Sequence, residues 1–167
     1  MAERWSDRPR EEAFLFNPAF LSSIMCEFTR EYCKAKKVGC PVTLNFLAPA
    51  ISLHIQTRER LPHSTVSSLY EWIQYNEDVL VDLPRRLRGL LPFLREALMF
   101  SLHQQTLEFD NPHTLTVGEK NGYFTTGLLK GVTKDMADAV QSTRFLARWF
   151  AKSGSETSIL SSWGVQP

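Results

Sequence analysis

Most of what this chain lacks narrows its function. Only 8 Gly and 9 Pro occur among 167 residues, which excludes a collagenous or linker-type chain. Neither charge sign prevails: 19 Lys and Arg stand against 18 Asp and Glu, a net charge of +1. A domain devoted to neutralising nucleic acid carries a large basic excess, so this balance argues against one. The balance is also local, at about +1 over 1–40, −2 over 41–110 and +2 over 111–167, so neither end is a charged tail. No long apolar run exists. The richest stretch, Leu44 to Ile55, is broken by Asn45, Pro49, Ser52 and His54, far short of the ~20 residues that span a bilayer. The opening residues mix both charge signs without an apolar segment, unlike a secretory leader. A soluble, cytoplasmic protein with no membrane contact is expected. Cysteine is scarce: Cys26, Cys33 and Cys40 stand seven residues apart. That spacing matches no zinc or redox motif, and the odd count fits free thiols in a reducing compartment.

What is present describes one globular domain. Hydrophobic residues make up 43% and aromatics 11%, too much apolar content for a disordered chain. Residues 1–13 read as a flexible polar arm that includes Trp5, and 14–167 as a single domain. Asn17 and Pro18 form a cap and first turn, and Phe16 can staple to Leu21. Phe20, Leu21, Ile24, Met25, Phe28, Tyr32 and Ala35 repeat at helical spacing. A helix over 18–37 follows, with Lys34, Lys36 and Lys37 on its C-terminal dipole and Gly39 as the left-handed stop. Leu44, Leu47, Ala48, Ile51 and Ile55 give another helix over 41–57, which Pro49 kinks or splits. His54 borders its apolar face, and 58–62 form an exit turn.

Ser64 or Thr65 can cap a helix over 66–75, and Asn76 one over 77–90. Pro92 then opens a helix over 92–104. The apolar period next changes from 3.6 to 2. Strands are expected over 106–109 and 114–117, a turn at 118–122 in which Asn121-Gly122 can take positive φ, and a third strand over 123–126. Thr133 caps a helix over 134–152 that Gly154 ends, and Ser155 caps a short helix to Ser162.

No catalytic signature emerges. The phosphate-loop pattern G-x4-G-K-[ST] is absent, as are H-E-x-x-H, C-x-x-C and G-x-S-x-G. His54, His63, His103 and His113 lack acidic or thiol partners at ligand spacing. Glu77, Asp78 and Asp82 gather at a helix start, where the macrodipole explains them. No catalytic residue, metal or cofactor is therefore assigned.

Two basic groups remain. Arg85, Arg86, Arg88 and Arg95 present guanidinium forks that suit phosphates. Glu77, Asp78, Asp82 and Glu96 lie among them and cancel much of that field, which favours solvated surface or partner salt bridges over nucleic acid. Arg144, Arg148 and Lys152 follow i, i+4, i+8 beside Phe145 and Trp149. That stripe is either an interaction face, since Trp and Arg dominate interface hot spots, or the solvated back of a helix whose aromatics are core.

The expected fold class is mainly α with a small antiparallel β-hairpin. Helices 66–75, 77–90 and 92–104 followed by strands 106–109 and 114–117 have the layout of a winged helix. Its core would cover about 64–126, with the N-terminal helices and the 134–152 helix packed around it.

The order of several short segments carries a resemblance. Asn17-Pro18-Ala19-Phe20, Leu47-Ala48-Pro49 with His54, Thr57-Arg58 before Leu61-Pro62, and Trp72-Ile73 come first. Arg95-Glu96-Ala97-Leu98, Ala147-Arg148-Trp149-Phe150 and Trp163-Gly164-Val165-Gln166-Pro167 follow. Together they resemble the small middle components of three-component ABC systems, from residue 14 onward. The resemblance implies a non-enzymatic adaptor between an SMC-like ABC ATPase and an effector, commonly a nuclease, in bacterial anti-phage or anti-plasmid defence of the Lamassu type. It supplies no catalytic residues. Candidate partner contacts are Arg144, Arg148, Trp149, Lys152 and Trp163. The alternative is a winged-helix DNA-binding protein or regulator using Arg85, Arg86, Arg88 and Arg95; DNA contact within a larger complex fits both.

Overall fold

The computed structural model describes residues 16–166; the expected arm at 1–13 lies outside them. Helix α1 (Pro18–Lys36) starts where Asn17 Oδ1 accepts a 2.8 Å hydrogen bond from the Ala19 N–H, with Pro18 in the first turn. That cap satisfies one of the donors that a helix start leaves open. α1 is the central element. Leu21, Ile24, Met25 and Phe28 on it have no exposed surface, and helices α5 (Leu83–His103) and α7 (Lys134–Ala151) pack along it. Two helices flanking one explain why its buried arc also takes in Ser22, Glu27 and Thr29.

The left-handed stop of α1 is Lys37, at φ 63°, and not Gly39. The chain must enter strand β1 (Cys40–Pro41) at once, so it turns two residues early. Gly39 serves a different need. A Cβ there would come within 2.7 Å of Asp110 Oδ2 and Thr114 Oγ1, so its lack of a side chain lets β1 close on strand β3 (Thr114–Val117).

The expected 41–57 helix does form two pieces, α2 (Val42–Ser52) and α3 (Ile55–Arg58), but α2 runs through Pro49 and the break falls at Leu53 and His54. α4 (Leu69–Tyr75) is capped by Ser68, whose Oγ accepts from the Glu71 N–H at 3.4 Å; neither Ser64 nor Thr65 caps it. A 3-10 turn (Glu77–Leu80) leads into α5. α5 is one helix of 21 residues running through Pro92, where two helices were expected. Pro92 lies on the exposed face. The Arg88 carbonyl that loses its partner there can bind water, so the proline costs less than it would on the core side. The three separate helices of the expected winged-helix core are therefore not formed.

The sheet is antiparallel with order β1-β3-β2, where β2 is Leu107–Asn111. Leu107 and Leu115 turn inward onto the core. The expected third strand over 123–126 is absent. Thr125 instead caps α6 (Thr126–Lys130) by accepting from the Leu128 N–H at 3.3 Å. Gly122 does not take positive φ; Gly154 does, at 97°, but α7 has already ended at Ala151 with a right-handed cap at Lys152. Ser155 caps α8 (Glu156–Ser162). The fold class is thus mainly helical with a small antiparallel sheet. All three cysteines are free thiols, and burial pushes Cys26 up to about 11.

Candidate partner-binding surfaces

The stripe on α7 divides when it meets the core. Arg144 points inward to Glu27 of α1, which has no exposed side-chain surface. Its Nε donates to Glu27 Oε2 at 2.7 Å and its Nη2 to Oε1 at 2.8 Å. Nη2 also reaches the Phe124 carbonyl at 2.9 Å, while the Phe124 N–H donates to Glu27 Oε1 at 2.6 Å. The hydrogen bonds to Glu27 hold the Arg144 pKa above its ordinary value. Arg144 thus locks α7, α1 and the segment before α6 together and is not a free docking group.

Trp149 and Trp163 are 1% and 0% exposed, so neither can meet a partner in this fold. Trp149 lies edge-on to Trp72 with centroids 5.7 Å apart, and Trp163 tilts against the same ring at 5.8 Å. Trp149 Nε1 donates to the Ser67 carbonyl at 2.7 Å. Two of the five expected contacts face water. Arg148 is half-exposed and 3.2 Å from Glu31, and Lys152 Nζ donates to Thr65 Oγ1 at 3.2 Å.

The first basic group also divides. Arg85, Arg88 and Arg95 are exposed on α5. Arg86 turns toward α2, with Nη2 3.3 Å from the Ala50 carbonyl and 3.5 Å from Thr57 Oγ1. Burial lowers its pKa, and its Nε has no hydrogen-bond partner among the described residues.

Arg86 and His54 sit at the junction of two clefts. One, of about 290 Å³, is charged and includes Arg60, Asp78, Asp82 and Arg85. Arg60 holds Asp78 with two bonds of 2.5 and 2.8 Å and reaches Asn76 Oδ1 at 2.7 Å. The second, of about 390 Å³, is apolar and lined by Phe16, Pro49, Leu53, Leu90 and Phe93. These groups can grip charge and apolar surface. Thr57 Oγ1 and His54 Nδ1 lie 2.7 Å apart at the charged cleft, with Thr57 buried. Among the described residues no group of His, Cys, Asp and Glu could hold a metal ion.

The family model of the ABC-three component (ABC-3C) system Middle Component 3 matches residues 5–167. The chain belongs to that family. No curated protein and no solved structure matches it. The resemblance drawn from the order of short segments is thereby met, and this Middle Component 3 protein is one part of a multi-component ABC system. Among the described residues no helix is long and apolar enough to cross a membrane.

Sequence reasoning missed both clefts in this middle component. Arg60 and Asp78 are eighteen residues apart and share no periodicity, and His54 shows its role only when α5 places Arg86 beside it. Burial, and then the Arg86 charge, lower the His54 pKa below its ordinary value of 6.5. The folded protein therefore takes up a proton at His54 less readily than the unfolded chain. The resulting stability is complete above about pH 6.5 and falls away as the pH drops through the folded value. Thermal melts from pH 7.5 down to 5 should show that decline, and His54→Gln should flatten it.

Proposed function

We propose that this middle component is a non-catalytic adaptor, joining an SMC-like ABC ATPase to an effector subunit such as a nuclease. The complex would act in the bacterial cytoplasm in anti-phage or anti-plasmid defence. The observation that carries the reading is the family match over residues 5–167. Exposed arginines on α5 and exposed apolar side chains such as Met99 and Phe100 offer contact surface in support of it. Co-expression with the ATPase and third component of its own system tests it. The three should elute together, and the purified chain alone should neither hydrolyse ATP nor cut DNA. A chain that never co-elutes with the ATPase, or that turns over substrate unaided, sinks the reading.

Duplex DNA binding is a second reading, favoured by one observation: Arg85, Arg88 and Arg95 lie exposed on a single helix. Three phosphate contacts give a log–log salt slope of about −2.7. A gel shift that is absent, or indifferent to salt, removes it.

A further inference from the structure

α5 has two opposed faces. Leu83, Leu87, Leu90, Leu94, Ala97 and Leu98 are buried on one. On the other, Arg85, Arg88, Pro92, Arg95 and Met99 are all exposed. Their spacing of i, i+3, i+7, i+10 and i+14 is that of a seam between two packed helices. At 3.6 residues per turn they fall within an arc of about 80°, and Arg85 to Arg95 spans about 15 Å along the axis.

Charge marks this face out further. Every other arginine among the described residues is engaged. Arg30 lies 3.9 Å over the Tyr123 ring, Arg86 reaches the Ala50 carbonyl, and Arg58, Arg60, Arg144 and Arg148 form ion pairs. Among the described residues Arg85, Arg88 and Arg95 have no ion pair and no hydrogen bond from their guanidinium groups, and all three share the seam. Met99 on the same seam is 66% exposed, and Phe100 beside it is 38% exposed.

We propose that this face receives an acidic α-helix of a partner protein. Asp and Glu side chains on that helix pair with the three guanidinium forks, and its apolar residues cover Pro92 and Met99. Guanidinium forks match carboxylates bidentately, and a helix laid along a helix meets residues at this spacing. A phosphate backbone offers nothing to the exposed Met99 and Phe100, which a helix with apolar residues can cover. The proposal deepens the adaptor reading and rests on it.

The test uses the full chain co-expressed with the tagged ATPase and the third component, with a duplex oligonucleotide as a separate probe. Arg85→Glu/Arg88→Glu/Arg95→Glu should weaken co-purification by about 100-fold or more, because like charges then face each other. Its melting temperature should match wild type. Met99→Asp, and Arg95→Glu alone, should each weaken the complex about tenfold, which keeps the test decisive if the triple variant melts low. A stable triple variant that retains its partner overturns this face and leaves the adaptor reading standing. A wild-type chain that binds neither subunit overturns both. Duplex binding that the triple variant loses, with the protein complex intact, overturns the helix partner in favour of DNA.

Discussion

Arg144→Ala is expected to destabilise the fold by about 3–5 kcal/mol, because it leaves a buried carboxylate without its counter-charge. Glu27 has no exposed surface, and Arg144 supplies two of its three hydrogen-bond donors. A loss of that size is a large fraction of a total stability of about 5–15 kcal/mol. For a domain of this length it lowers the melting temperature by about 2–4 °C per kcal/mol. Glu27→Met/Arg144→Met should cost much less than Arg144→Ala, since apolar side chains of similar size need no charge partner. The Phe124 N–H that donates to Glu27 keeps part of the penalty in the double variant. Urea unfolding of the wild type, Glu27→Met, Arg144→Met and the double Met variant gives the coupling energy. Were Arg144 instead a docking group on the surface, Arg144→Ala would leave the midpoint unchanged and affect only partner binding.

The same residue shows what the sequence can and cannot say. Arg144, Arg148 and Lys152 form one stripe by spacing, yet burial separates them, because α1 lies under the first and water over the last. A faint signal for the Glu27 partnership was present: Glu27 follows Ile24 by three residues and Phe20 by seven, at the edge of an apolar arc. Local chemistry was legible at three helix starts. Asn17, Thr133 and Ser155 cap the helices they were expected to cap, and the hairpin lies where the period changes. Elements set by distant contacts were not legible. Cys40–Pro41 pairs with Thr114 and Leu115 and is too short to show alternation. Pro92 suggested a boundary because a proline removes a helix hydrogen bond and crowds the preceding turn, yet α5 runs through Pro92 on its exposed face and α2 runs through buried Pro49, and a single sequence does not show that packing holds both. The family was legible from the order of segments; the unpaired state of Arg85, Arg88 and Arg95 among the described residues was not, because the ion pairs of the other described arginines join residues far apart in the chain.

Trp163→Ala should cost about 3–5 kcal/mol, the range for emptying a buried aromatic site. Trp163 is wholly buried, against Trp72 at 5.8 Å and Phe150 at 6.4 Å. The change removes the ring through which α8 is held to α4 and α7. Conservative variants sharpen the argument, because the two buried indoles differ in one bond. Trp149 Nε1 has the Ser67 carbonyl at 2.7 Å, whereas Trp163 Nε1 is buried with no acceptor among the described residues. Trp149→Phe therefore loses a hydrogen bond as well as volume. Trp163→Phe loses volume but removes an orphaned donor, whose burial carries a penalty of about 1–3 kcal/mol. Trp149→Phe should be the more damaging by about 1–2 kcal/mol, measured as the difference in urea midpoints at equal slope. Equal losses would mean that water already satisfies Trp163 Nε1. A Trp163→Ala protein that melts like wild type yet fails to bind the ATPase would return the C-terminal tryptophan to the partner surface and displace the core described above.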